Sequence, residues 1–458
     1  MRYLTFLTLA FMLLSCSNYS ETLEEVLRIS GNNRKVLEQV LAHYKNDSLK
    51  WKATCFLIEN MPGKGSIEYR YSQNDCRYVR LEPKADLSVI TADYLIENID
   101  LAFEVWQHYP WCRQLSFDEF CRKILPYRVK QEPLDRWRSF YYQRYKKVAD
   151  SLSAAGATRK EVVFFMNVHH GKKYLHEAAD IPGDFSIEQI EKLGGGTCDH
   201  LSLNAVQQMR SIGIPLNLDV LPYHGKVNGG HAYNSFTDEE GEFIYFSPYE
   251  REPERNQWIA PLVQRICYDL QPVIENSPNQ WNRILKHRSL KNVTSDYYKT
   301  RSVHLLAEDT VIYLATYNRG DFNVIAQAKG DSVNYPTVTV GLLYFPLKGS
   351  NHKLLPCGDP FVTAEDSLQF ITPTTESITL NGIKTYDVKR VVKLGKERYT
   401  LYYWKEGWQP IKEAISTDSC TLDFGEVPVR SLFLVYGDTY MGRMQRPFLM
   451  DGERLVYY

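Results

Sequence analysis

The chain has 458 residues, 44% of them hydrophobic and 24% charged, with 54 Lys+Arg against 55 Asp+Glu. A net charge of −1 with both signs interspersed gives no electrostatic reason for a nucleic-acid or acidic-polymer partner, and a mean hydropathy of −0.38 excludes a polytopic membrane protein. On a prior of about 150 residues per domain the length predicts about three domains, ample for large cores.

At the N-terminus Arg2 precedes an apolar run of 11 residues, Leu4 to Leu14. It is too short to span a bilayer and right for a signal peptide over 1–15. Leu13-Leu14-Ser15-Cys16 looks like a bacterial lipobox, which implies that Cys16 is lipidated and begins the mature chain. An ordinary secretory signal with an incidental cysteine is the alternative. Ser17 stands where an inner-membrane retention signal would have Asp, so the expected location is the outer membrane, lipid-anchored, on the periplasmic or cell-surface face.

Residues 16–160 read as a helical N-terminal region. Val36, Leu37, Val40 and Leu41 recur at helical spacing, as do Leu95, Ile99, Phe103 and Trp106, and again Leu134, Trp137, Tyr141 and Tyr145. Such stripes predict core, and the basic run Arg144-Tyr145-Lys146-Lys147 predicts a solvated face.

The chemistry concentrates between 161 and 275. Gly194-Gly195-Gly196-Thr197-Cys198-Asp199-His200 precedes an apolar stripe of Leu201, Ala205, Met209 and Ile212, which Gly213 and Pro215 stop. Cys198 therefore falls in the first turn of a helix. Unpaired N–H groups and the helix dipole there favour thiolate and lower the cysteine pKa below its usual ~8.5, and the same amides can hold an acyl-transfer oxyanion. Strands are predicted at Leu216 to Leu221, His231 to Phe236 and Glu242 to Ser247, the last two separated by Thr237-Asp238-Glu239-Glu240-Gly241. Pairing Phe236 with Glu242 sets His231 directly opposite Ser247, roughly 5 Å away on one face. A thiol with an imidazole base follows from that arrangement.

Cysteine at a helix start, Gly213-Ile214-Pro215 after that helix, Gly230-His231-Ala232-Tyr233-Asn234 on a strand and Phe246-Ser247-Pro248 closing an aromatic strand resemble the transglutaminase-like superfamily of papain-type thiol enzymes. Phe56-Leu57-Ile58-Glu59-Asn60-Met61-Pro62, Ile124-Leu125-Pro126-Tyr127-Arg128 and Arg446-Pro447-Phe448 resemble multidomain lipoproteins of Bacteroidetes that carry such a core. The resemblance implies Cys198 as nucleophile and His231 as base. Where the superfamily usually has Asp this chain has Ser247, which can fix the imidazole tautomer but has no charge for the imidazolium; Glu250 and Glu252 lie just beyond and could reach back. A metal reading, with Cys198, His200, His224 and His231 as ligands, lacks the compact spacing of known sites, so neither metal nor cofactor is expected.

Beyond residue 290 the period becomes two. Thr310 to Tyr317 and Phe322 to Gln327 flank Asn318-Arg319-Gly320-Asp321 as a hairpin; strands follow at Thr337 to Phe345, Tyr386 to Val392, Tyr399 to Trp404 and Ser431 to Tyr436. Two β-sandwich-like modules, 290–372 and 376–458, complete an α+β chain. With Cys16 and Cys198 assigned, the odd remainder of the nine cysteines has no regular spacing and argues against a disulfide framework; Cys112 and Cys121 are the one local pair to test. Two functions stay open. One is an envelope thiol enzyme hydrolysing or transferring a peptide or amide acyl group of a peptide or glycopeptide substrate. The other is a non-catalytic glycan- or peptide-binding module with a degenerate core.

Overall fold

A computed structural model describes residues 19–248, 258–272, 287–350, 353–384, 397–417, 421–437, 446–452 and 454–458. Cys16, Glu250, Glu252, Cys420 and the strand expected at Tyr386 to Val392 lie outside these residues. The described residues are α+β, with the helices early and the strands late.

Helices α1 (Glu21–Ile29), α2 (Arg34–His43) and α3 (Ser48–Glu59) are followed by a hairpin of β1 (Tyr69–Ser72) and β2 (Arg77–Arg80), an interruption the helical periodicity does not announce. Next come α4 (Ala92–His108), α5 (Phe117–Lys123), α6 (Trp137–Ala154) and α7 (Arg159–His170). Caps set their starts: Ser20 Oγ accepts from Leu23 N, Asp47 Oδ1 from Lys50 N, and Ser116 with Glu119 closes a capping box. The apolar stripes face inward, leaving Leu37, Leu95, Ile99 and Tyr141 fully buried. Leu134 lies before α6, so only the rest of its stripe is helical.

Helix α8 (Ile187–Leu193) ends at Gly194, whose φ of 68° reverses the chain where a side chain would be strained. Then α9 (Cys198–Ser211) lies on a five-stranded antiparallel sheet built from β3 (Asn217–Leu221), β4 (His231–Thr237), β5 (Phe243–Phe246), β6 (Gln264–Ile266) and β7 (Leu290–Asn292), in the order β7-β6-β3-β4-β5. One cluster holds Leu57, Ile99 and Trp137 of the helical region together with Val206 and Met209 of α9 and Phe236 and Phe246 of the sheet. The helices and the sheet therefore share a core. The sheet also extends past residue 275, since β7 pairs with β6 through Gln264↔Asn292.

In the β4–β5 hairpin Phe236 pairs with Ile244 rather than Glu242, a shift of two from the expected register. The Asp238 carboxylate causes it by accepting from the amides of Glu240 and Glu242, which draws Glu242 into the turn and starts the pairing at Thr237↔Phe243. An even shift leaves every side chain on its original face.

Strands β8 (Thr300–Asn318) and β9 (Asp321–Thr339) form one long hairpin, turning through Arg319 at φ 53° and Gly320 at φ 81°, the paired left-handed geometry of a type I′ turn. The strand expected from Thr337 to Phe345 is broken at Gly341, and β10 (Leu343–Ser350) begins after it. A second sheet contains β11 (Arg398–Trp404), β12 (Trp408–Ile415), β13 (Phe433–Gly437), β14 (Phe448–Asp451) and β15 (Arg454–Tyr457), in the order β12-β11-β13-β14-β15. One face of the β8–β10 sheet packs on Leu262 through Ile312, Leu314 and Tyr344, and the other meets Trp404, Leu432 and Leu434 through Tyr313 and Phe345. Both C-terminal sheets thus share a core with each other, and the first also with the segment around Leu262. Cys112 and Cys121 are buried free thiols.

Candidate active site

Cys198 opens α9 half-buried, directly after the Thr197 N-cap. Its sulfur is met by the backbone N–H of Ala232 as well as the N–H groups of Asp199 and of its own residue. These amides favour the thiolate, as expected for a helix start, yet burial and then the Asp199 carboxylate outweigh them and the thiol pKa is raised, not lowered. The expected thiolate is therefore replaced by a thiol at neutral pH.

His231 begins β4, its Cα opposite Leu221. Its Nε2 lies 3.2 Å from Ser247 Oγ, so the two side chains meet diagonally across β4 and β5 rather than in direct register. Ser247 is 1% exposed. Burial pushes the imidazole down to about 4, with the Asp199 carboxylate acting the other way, so His231 is neutral near pH 7. The buried carboxylate on the same sheet face, Asp219, is taken up by Arg265 (2.8 Å to both oxygens), Ser235 Oγ at 2.6 Å and Tyr297 OH at 2.7 Å. Ser247 is thus the partner the structure gives the far nitrogen of His231; Glu250 falls outside the described residues.

His200 has a structural task. Its Nε2–H donates to the Gly183 carbonyl at 3.0 Å, and its Nδ1 then accepts from Thr197 N at 3.2 Å, while the ring stacks on Phe185 with centroids 3.6 Å apart. It pins the loop before α8 to the start of α9. Among the described residues no group of three or more His, Cys, Asp or Glu is placed to hold a metal, so Cys198, His200, His224 and His231 do not form a centre.

Cys198 and His231 both line a cleft of about 610 Å³. Its walls come from four parts of the chain: Tyr69 and Lys130 of the helical region, Asp184 of the loop before α8, Tyr223 of the β3–β4 loop, and Arg319 at the β8–β9 turn. Sequence reasoning missed Lys130, whose Nζ is 2.7 Å from Asp184 Oδ1 and 3.3 Å from Asp199 Oδ1. It missed Asn318 too. That side chain, 2% exposed, accepts from Gly229 N at 3.0 Å and donates to the carbonyls of His224, Val227 and Gly229, while Arg319 N donates to Asn228 Oδ1 at 2.8 Å. The loop that delivers His231 is therefore held by a turn about ninety residues later. At its end a Cβ on Gly230 would stand 2.5 Å from the Leu221 carbonyl oxygen, so only glycine lets the backbone pass. The short motif Ile124 to Arg128, just ahead of Lys130, was the one available signal for the missed lysine.

No protein-family model and no curated protein matches the chain. Among solved structures, the crystal structure of red sea bream transglutaminase aligns with 86% of this chain and 78% of its own at 9% identity, with a TM-score of 0.21.

Proposed function

We propose that this protein is a thiol enzyme with a transglutaminase-like core, which hydrolyses or transfers a peptide or amide acyl group through Cys198. The observation that carries the reading is the cleft lined both by a cysteine at a helix start, with the Ala232 amide on its sulfur, and by a histidine whose Nε2 lies 3.2 Å from a buried serine. With Nε2–H donated to Ser247, Nδ1 acts as the base. It takes the thiol proton as the sulfur attacks the carbonyl carbon; the amides at the start of α9 hold the oxyanion; the C–N bond breaks, and the imidazolium returns the proton to the leaving amine. Water then cleaves the thioester, or an amine accepts the acyl group. Hydrolysis is favoured because the cleft is open to water.

The substrate class in this reading is a peptide or glycopeptide. The setting is the outer membrane, with the chain tethered through Cys16.

One observation favours a second reading, a binding module with a degenerate core: both the thiol and the imidazole are neutral at rest, and Ser247 cannot stabilise a charge on His231. Of the aromatics on the C-terminal sheets that could stack on sugars, Tyr313, Tyr344, Tyr399 and Trp404 are core, whereas Phe370 is exposed.

Intact-mass analysis of the full chain incubated with activated peptide esters and a peptide-amide library separates the readings. Wild type is expected to acquire a hydroxylamine-sensitive acyl adduct on Cys198 that Cys198→Ala lacks and His231→Ala forms at least about 100-fold more slowly. No adduct and no amide cleavage, with Cys198 alkylating no faster than the exposed Cys76 and Cys357, would establish the binding module.

A further inference from the structure

The thiol site borrows a cation from a distant segment, and that segment is built on buried charge. Arg128 (1% exposed side chain) donates to both oxygens of Asp86 (0%) at 2.6 Å, and Tyr127 OH donates to the same carboxylate at 3.0 Å. Glu132, also buried, accepts from the amides of Val129 at 2.8 Å and Lys130 at 2.7 Å, while Arg128 donates to its carbonyl. Burying an ion network of this kind stabilises a fold poorly, because desolvation offsets most of the attraction, so its use is to impose one conformation. The conformation imposed here is the turn Val129–Glu132, and what that turn presents to the cleft is Lys130.

Lys130 reaches Asp199, the residue after Cys198, and Asp184, which also accepts from Gln131 N at 3.0 Å. We propose that Lys130 is a positioning residue of the thiol site: fixed by the buried Asp86–Arg128–Glu132 network, its ammonium holds the Asp199 carboxylate and offsets the negative charge that this carboxylate sets beside Cys198. The inference rests on the reading of Cys198 as the reacting group. Among the described residues, the charged and titratable groups facing Asp199 and the thiol are Lys130 and Asp184 from across the cleft, His200 on the same helix and His231 on β4. Asp199 opposes thiolate formation and favours imidazolium formation, so the balance between Lys130 and Asp199 governs how readily the proton passes from sulfur to nitrogen.

The test is the pH dependence of iodoacetamide alkylation of Cys198 in the full chain, read by mass spectrometry on its peptide with the exposed Cys76 and Cys357 as internal references. Lys130→Met is expected to move the midpoint up by about one pH unit, slowing alkylation about tenfold at pH 7. Lys130→Arg keeps the wild-type profile, and Lys130→Met/Asp199→Asn returns to it. Should Lys130→Met fail to fold, Asp199→Asn alone decides, with the midpoint expected to fall.

A wild-type profile in Lys130→Met, or in Asp199→Asn, overturns the proposal. So does a double variant as slow as Lys130→Met. Asp184→Asn removes the loop anchor and leaves the Asp199 pair; if it reproduces the Lys130→Met shift, the lysine only pins the loop and the proposal fails. These outcomes are read on alkylation, whereas failure of the enzymatic reading shows as the absence of any acyl adduct, so the two failures are distinguishable.

Discussion

In the proposed reading, a serine hydroxyl at position 247 in place of a carboxylate changes the electrostatics of His231 more than its position. Ser247 holds Nε2 of His231 at 3.2 Å, as an aspartate would, but the imidazole titrates at about 4 because burial is unopposed apart from Asp199. Folding stability follows from the same number. The unfolded chain binds a proton on this residue near 6.5, whereas the folded chain refuses it until about 4, so stability falls as pH drops through that window, by on the order of 2 kcal/mol. Ser247→Asp supplies the missing charge: the imidazole pKa is expected to rise, Cys198 alkylation at pH 7 to increase about tenfold, and the loss of stability between pH 6.5 and 4 to shrink. Alkylation rates and urea midpoints at pH 7 and pH 4.5 check both arms. Unchanged rates and an unchanged pH slope would show that residue 247 is not coupled to the imidazole charge.

Elements differ in how far local chemistry specifies them. Helix α9 was legible because its stripe, its glycine-rich approach and its Gly213 stop are all short-range, and the β8–β9 turn because Arg319-Gly320 adopts positive φ at both central positions. The β4–β5 register was misread by two because the Asp238 carboxylate caps the amides of Glu240 and Glu242, a side-chain choice that alternation cannot register. Even parity kept His231 and Ser247 on one face despite the slip. The thiol's pKa went the other way from a helix-dipole argument because burial, its largest cause, is a tertiary fact, to which the neighbouring Asp199 carboxylate adds. Lys130 was invisible for the same reason, its partners lying 54 and 69 residues away. Among these long-range devices, Asn318 should dominate the His231 loop. Asn318→Ala removes the side chain that bonds Gly229 N and three carbonyls, and should cost about 2–3 kcal/mol. Hydrogen–deuterium exchange over residues 222–231 should accelerate, with α1 to α3 unchanged. Wild-type exchange in that loop would mean the turn merely abuts it.

The molecule as a whole is a set of shared cores. The helical region and the five-stranded sheet bury one cluster, and the β8–β10 sheet joins the segment around Leu262 on one face and the second C-terminal sheet on the other. The domain limits drawn from changes in periodicity fall where the architecture changes, and buried clusters cross them. Among the described residues no helix is long and apolar enough to cross a membrane, so the tether proposed above rests on Leu13-Leu14-Ser15-Cys16 alone. Cys16→Ala is expected to shift the protein from the membrane pellet to the soluble fraction. Pelleting of the variant at wild-type levels would remove lipidation as the tether.

Arg446 gives the cleft a history as well as a geometry. Its guanidinium donates to the carbonyls of Gly225 and Tyr317, joining the loop ahead of His231 to a segment 221 residues further along. A ribosome makes Cys198 and His231 long before it makes that clasp, and the β8–β9 turn that grips the same loop also comes later. During synthesis and any passage through a translocon, the thiol is thus present in a chain whose imidazole-bearing loop has not yet been fastened. The loop that carries His231 therefore gains its last fasteners only when the chain is nearly complete.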